Sequence, residues 1–256
     1  MEINQVFESL RKAGGIRAAR VIVENTKNFS KIKLWFFCRQ LRKGVPVAKI
    51  IHQKWFYGLK FYTNKYTLDP RPDTETLVSA VISDCNENKK IRILDIGTGT
   101  GCIISALVKN IYGATGVGID KSWRAIRVAK KNIKALGISD KIKILHKDFY
   151  KRSGLPQSFD IIVSNPPYIA KNDKRVNDGA HYDPDIALYA KDNGLAAYEA
   201  IAKNAKNWIK HDGKIYLEIG IDMGRAVKQI FENEGWRFVR SEKDLAGIER
   251  VLVFQK

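Results

Sequence analysis

An apolar run, Ile91-Arg92-Ile93-Leu94-Asp95-Ile96, leads straight into Gly97-Thr98-Gly99-Thr100-Gly101 and then into a helical pattern over residues 102–112. No other stretch constrains the fold as much, because strand, glycine turn and helix in that order form the opening unit of an open α/β sheet. Glycines admit positive φ and let the backbone approach a ligand closely, while free N–H groups at the helix start favour a negatively charged group. A nucleotide-like cofactor is therefore expected over this turn. The spacing is G-x-G-x-G, which is neither the G-x-G-x-x-G of a dinucleotide site nor the G-x-x-x-x-G-K-[ST] of a triphosphate loop. NAD and ATP are both disfavoured.

The pattern then alternates as a parallel sheet requires. Gly116-Val117-Gly118-Ile119-Asp120 reads as a second strand ending in an acid, which can accept hydrogen bonds from ribose hydroxyls. Residues 141–146 read as a third strand. Asp148-Phe149 follows, a carboxylate able to accept from an amino-purine edge beside an aromatic able to stack on its ring. A further run, Phe159-Asp160-Ile161-Ile162-Val163, is followed at once by Asn165-Pro166-Pro167-Tyr168. Ligands of open α/β sheets bind at the carboxyl ends of strands. The Asn165 side-chain carbonyl and the Pro166 backbone carbonyl are two acceptors that can grip both hydrogens of a planar amine or amide nitrogen. Tyr168 can stack on that plane, and the prolines stiffen the turn without adding competing N–H donors.

These residues, in this order, resemble a class I S-adenosylmethionine-dependent methyltransferase acting on a planar nitrogen. Further segments narrow the likeness: Gly44-Val45-Pro46-Val47-Ala48, the aromatic stretch over residues 55–66, Pro70-Arg71-Pro72-Asp73-Thr74-Glu75, Asp183-Pro184-x-x-Ala187-Leu188, Asp192-Asn193-Gly194-Leu195, Glu218-Ile219-Gly220 and Gly247-Ile248-Glu249-Arg250. Together they resemble the HemK/PrmC family, the glutamine methyltransferases of peptide chain release factors. Three departures stand out: Asp69 replaces the usual aliphatic residue, Lys49 replaces the usual Tyr, and the segment before Gly44 is shorter than usual.

The resemblance implies a seven-stranded Rossmann-like α/β sheet, one of its last two strands antiparallel, preceded by a small helical amino-terminal domain and a linking β-hairpin. The expected divisions are 1–45, 46–69 and 70–256. It implies S-adenosylmethionine as cofactor, held by Asp95, Gly97, Thr98, Gly99, Thr100, Gly101, Asp120, Asp148, Phe149 and Asn165. Asn165, Pro166, Pro167 and Tyr168 hold the substrate glutamine, with Asn165, Pro166 and Tyr168 acting in catalysis, and Arg71 and Glu75 close over the substrate or brace the Asn165 loop. For Arg71 and Glu75 a structural ion pair in the interdomain hinge is the competing expectation. The implied partners are peptide chain release factors, and the shortened amino-terminal segment would bear on how they are held.

Composition sets the remaining bounds. At 256 residues, 45% hydrophobic and 28% charged, the chain suits one α/β domain with a small appendage. It has neither a run of about eighteen apolar residues nor an apolar amino-terminal signal core, so no membrane association and a cytoplasmic location are expected. Cys38, Cys85 and Cys102 lack metal-site spacing, and His52, His146, His181 and His211 do not cluster, so no metal is expected. The net charge is +18, and residues 1–70 hold 14 Lys or Arg against 4 Asp or Glu. Such a field favours transient contact with the ribosome, nucleic acid or another polyanion; scattered, solvated lysines of an AT-rich composition are the alternative.

Helices are expected over residues 6–25 and 31–43, the second capped by Ser30, and a hairpin from strands at 47–56 and 61–66 turning at Gly58. A helix is expected from Asp73 to Asn86, and Trp35, Phe36 and Phe37 are expected in the core. Three function classes fit the residues: the release-factor enzyme with its ribosomal-protein variant, a nucleic-acid amino-group methyltransferase acting on adenine N6 or guanine N2, and a binding module that keeps cofactor without turnover.

Overall fold

A computed structural model describes residues 1–85, 90–151, 154–170 and 182–256. Its centre is a seven-stranded sheet built from β3 (Arg92–Ile96), β4 (Thr115–Asp120), β5 (Ile142–His146), β6 (Phe159–Ser164), β9 (Ile209–Glu218), β10 (Arg237–Lys243) and β11 (Glu249–Gln255), ordered β10-β11-β9-β6-β3-β4-β5. β11 runs antiparallel to both neighbours, and the other pairings are parallel. From β3 the chain builds outward through β4 and β5, then returns to place β6 on the opposite side of β3. That reversal is the topological switch point at which open α/β sheets bind ligands.

Both faces of the parallel strands are covered, which is why they read as near-continuous apolar runs. On one face lie α4 (Glu75–Ser83), α5 (Cys102–Asn110) and α6 (Trp123–Ala135), contributing Leu77, Val81, Ile104 and Ile126 to a cluster with Ile93 and Val163. On the other lie α8 (Ala196–Ala205) and α9 (Gly224–Asn233), where Tyr198, Ile201 and Phe231 pack with Trp208, Ile162 and Phe254. The short hairpin of β1 (Gln53–Phe56) and β2 (Leu59–Tyr62) inserts Phe56 and Phe61 into the first cluster. α1 (Ile3–Asn25) and α2 (Lys31–Arg42) form a separate small core around Val6, Leu10, Ile22, Phe37 and Leu41. Ser30 caps α2, its side chain accepting from the Lys33 N–H at 3.1 Å. α1 is interrupted at Gly15, where φ is 84°.

Two expectations fail here. Residues 47–51 do not extend the hairpin; they form the helical turn α3 (Val47–Ile51), entered after Pro46 and ended by His52 at φ 54°. The β-branched Val47, Ile50 and Ile51 serve the amino-terminal core instead, and the same turn presents Lys49 to Asp69. Of the Trp35, Phe36 and Phe37 trio only Phe37 is buried, Trp35 being 59% and Phe36 44% exposed. Consecutive helical residues point about 100° apart, so one face cannot take all three; the Arg39 guanidinium covers Trp35 at 5.3 Å. Asn86 and His181 lie outside the described residues. No helix among the described residues is long and apolar enough to cross a membrane.

Candidate active site

The turn after β3 holds Gly97, Gly99 and Gly101 at φ 71°, 55° and 77°, conformations that side chains rarely adopt. Four of its N–H groups are already engaged. Gly97 and Thr98 both donate to the Ile119 carbonyl at 2.9 Å, Gly101 donates to the Thr98 carbonyl at 2.7 Å, and Gly99 donates to Asp120 Oδ2 at 3.0 Å. The glycine turn is therefore chiefly a steric cradle, three of its donors being taken by Ile119 and Asp120 at the end of β4. That suits a ligand approaching through a neutral nucleoside better than one bearing phosphate.

Asp120 also accepts from the Ser122 N–H at 2.8 Å through Oδ1, so both oxygens are oriented yet retain lone pairs for ribose hydroxyls. Burial raises its pKa, opposed by the Ser122 and Gly99 amides. Beneath the turn, Asp95 is wholly buried; Oδ2 accepts from the Thr98 hydroxyl at 2.6 Å while Oδ1 has no partner. Desolvation pushes this carboxyl up to about 7 against the Thr98 bond. Asp95 thus braces the cradle from beneath, and a ligand in the cavity is left to meet Asp120 and the glycine backbone.

One cavity opens over the cradle. Gly97, Thr98, Gly99, Thr100, Asp120, Phe149, Asn165, Pro167 and Arg71 line it, so most of the expected cofactor and substrate residues are brought together. Phe149 is buried and stacks on Tyr150 with ring centres 4.5 Å apart. Asp95 and Gly101 sit beneath the wall and support it. Asp148 is not on the wall either: its Oδ1 accepts from the Tyr150 N–H at 3.0 Å, closing a local turn. Pro166 and Tyr168 also lie off this wall; the Tyr168 ring packs against Gly220 and Met223, and desolvation raises its pKa.

Asn165 follows β6 directly, and its Nδ2 donates to the Thr74 hydroxyl at 3.1 Å. Among the described residues no donor reaches its Oδ1, which is left as the acceptor for a substrate. Thr74 itself is buried at the end of the turn Pro72–Thr74. Arg71 and Glu75 do not pair with each other. Glu75 Oε1 accepts from the Tyr57 N–H at 2.8 Å and braces the hairpin, away from the cavity. Arg71 lines the cavity and its Nη2 meets Asp183 Oδ2 at 2.7 Å.

Several residues matter that the sequence did not single out for these roles. Asn132, buried on α6, accepts from the Tyr62 N–H at 2.7 Å and donates to the Tyr62 and Thr100 carbonyls at 2.9 Å, tying the hairpin to the glycine turn. An Asn on the apolar face of a helix was the available signal. Lys49 reaches both Asp69 and Asp183 at 2.8 Å. Two of the three departures from the family pattern, Lys49 and Asp69, are thus partners in one buried cluster.

Comparison with known proteins agrees with this geometry. Residues 71–181 match the family model "Methyltransferase small domain". The release factor glutamine methyltransferase of Agrobacterium fabrum is 37% identical over 223 residues, covering 84% of this chain and 75% of that protein. The chain belongs to the release factor glutamine methyltransferase family. Family likeness extends to a bifunctional methyltransferase of Rickettsia typhi, 39% identical over 91% of this chain, of which the chain spans about half the length, 49%. The fold is that of a solved methyltransferase from Pyrococcus furiosus, with a TM-score of 0.58 at 15% identity over 78% of this chain and 90% of that one.

Proposed function

We propose that this member of the release factor glutamine methyltransferase family transfers the methyl group of S-adenosylmethionine to the side-chain amide nitrogen of the glutamine in the Gly-Gly-Gln loop of peptide chain release factors. The observation that carries the reading is Asn165, held by Thr74 at the wall of the glycine cavity with its carbonyl oxygen unengaged among the described residues. The cofactor supplies an electrophilic methyl on a sulfonium. The cradle of Gly97 to Gly101, the carboxylate of Asp120 and the ring of Phe149 offer the shape, ribose acceptors and stacking face that an adenosine moiety needs.

An amide nitrogen is a weak nucleophile because its lone pair is delocalised into the carbonyl. Asn165 Oδ1 and the Pro166 carbonyl accept its two N–H groups, fixing the nitrogen and favouring positive charge as it develops there. Positioning and fixed dipoles of this kind supply the rate, with no covalent intermediate on the protein. Tyr168 packs behind the loop, so it supports the Asn165 turn more directly than it stacks on substrate. The basic segment over residues 1–70 assists encounter with an acidic or ribosome-bound partner, so added salt should slow association more than chemistry.

The test is mass spectrometry of folded release factor, naked DNA and ribosomal RNA, each incubated with the protein and methyl-labelled cofactor. Label on the Gly-Gly-Gln glutamine is expected. Label in N-methylated adenine or guanine, with none in release factor, would overturn the reading in favour of a nucleic-acid amino-group methyltransferase.

A further inference from the structure

Glu218 closes β9 at the same end of the sheet as Asn165. β6 and β9 are adjacent parallel strands with Ser164 opposite Leu217, so the next residue of each, Asn165 and Glu218, stand side by side. The carboxylate is 2% exposed, Oε2 has no hydrogen-bond partner among the described residues, and Thr74 and Asn165, bonded to each other beside it, are among the side chains that hold its pKa down. A buried carboxylate left partly unsatisfied is costly.

We propose that Glu218 is a positioning residue that sets the polarity of the Asn165 amide, rather than a purely structural acid. This rests on the proposed amide-methylating function, which needs Asn165 Oδ1 to face the substrate. An ionised carboxylate can only accept, so it draws the Thr74 O–H towards itself. Thr74 Oγ1 then has only lone pairs to offer Asn165, and the Asn165 nitrogen must be the group that faces it, as observed at 3.1 Å. The negative charge behind that nitrogen also polarises the amide and strengthens Oδ1 as an acceptor. A protonated Glu218 reverses the chain: it donates to Thr74, Thr74 donates to Asn165, and the amide turns its nitrogen towards the substrate N–H groups.

The reversal falls in an accessible pH range. Burial pushes the Glu218 carboxyl up to about 7, opposed by Thr74, Arg250 and Asn165 and reinforced by Asp73. The other titratable groups facing it are Tyr168 after β6, Tyr198 on α8 and Cys102 at the start of α5, all with pKa values raised by burial and hence neutral through that range. Arg250 is engaged by Asp73 at 3.1 Å and Asp244 at 3.0 Å, so it supplies a constant charge.

The test uses the full chain with E218Q, T74S and T74V. The side-chain amide resonances of Asn165, assigned by their loss in N165A, should shift with a midpoint near pH 7 in the parent and stay fixed in E218Q. Single-turnover methyl transfer should fall on the acid side of that midpoint in the parent, and E218Q should lack the limb and run about 10- to 100-fold slower at pH 8, the size typical of an outer-shell partner. T74S, which keeps the hydroxyl, should retain the parent rate, and T74V should match E218Q, with affinity for S-adenosylhomocysteine unchanged in all three. Asn165 resonances that do not move with pH in the parent overturn the proposal, as does a T74S variant no faster than T74V. A parent that methylates no release factor refutes the proposed function instead, and the resonance titration still decides the role of Glu218.

Discussion

Lys49 and Asp69 form a buried ion pair, Nζ to Oδ1 at 2.8 Å, that joins the turn α3 to the segment leading into the active-site wall. Asp69 also accepts from the Thr63 hydroxyl, and the three donors of the Lys49 ammonium are shared among Asp69, Asp183 and the Asn64 and Thr67 carbonyls. Each charge is therefore fully partnered. Removing Lys49 alone is more damaging than removing it together with Asp69, because Asp69 is then left as a buried charge with no cation and keeps its desolvation penalty. K49M should destabilise the protein by about 3–5 kcal/mol. The double variant K49M/D69L should be less destabilised than the sum of the singles, and urea unfolding of all four proteins measures the coupling. Additive effects would show that the pair is incidental.

Gly99 has room for a side chain, since an added Cβ would meet only the Gly97 carbonyl at 3.8 Å, but its φ of 55° disfavours branched residues and the position faces the cavity. G99V should stay folded yet lose affinity for S-adenosylmethionine and S-adenosylhomocysteine by at least about tenfold, one bulky group standing where the backbone must approach the ligand. Isothermal titration calorimetry reads this directly. Unchanged affinity would remove the glycine turn from the cofactor site.

N165A removes one of the two acceptors that hold the substrate nitrogen. Loss of one preorganised hydrogen bond of this kind lowers the rate by about 10² to 10³, while inside the protein the variant gives up the bond to Thr74 and the interaction with Glu218. Single-turnover transfer should fall by that factor while the thermal unfolding midpoint moves little. A rate within a few-fold of the parent would contradict the role assigned to Asn165.

Asp95 makes stability depend on pH in an unusual direction. Its pKa rises from 3.8 in the unfolded chain to about 7 in the fold, chiefly through desolvation. Between these values the native state binds more protons than the unfolded state, so stability falls as pH rises through the window and is greatest below it. D95N, which cannot ionise, should flatten this part of the profile of unfolding free energy against pH. An identical slope in D95N would show that Asp95 remains charged in the fold.

The strand, glycine turn and helix around Gly97, the acid ending β4 and the Asn165 loop after β6 were legible in the sequence because each rests on a local rule: apolar periodicity, the φ freedom of glycine, and a strand followed by proline. Those rules act over a few residues and need no knowledge of what lies opposite. The seven-stranded sheet with one antiparallel strand in its last pair came from family resemblance; the structure reproduces it and shows the strand to be β11. Local rules failed where a distant contact outweighed propensity. Residues 47–51 carry strand-forming side chains yet coil into α3, and Glu75 turns to the Tyr57 amide although its neighbours in sequence line the cavity. Only the tertiary structure decided that Lys49, Asp69 and Asp183 share one buried cluster, that Asn132 links hairpin to glycine turn, and that Thr74 and Glu218 stand behind Asn165. These partners are separated in the chain, and Asn165 and Glu218 in particular meet because strand order brings the ends of β6 and β9 together. Burial there raises the cost of any unpaired polar group, and so fixes which partner each one takes.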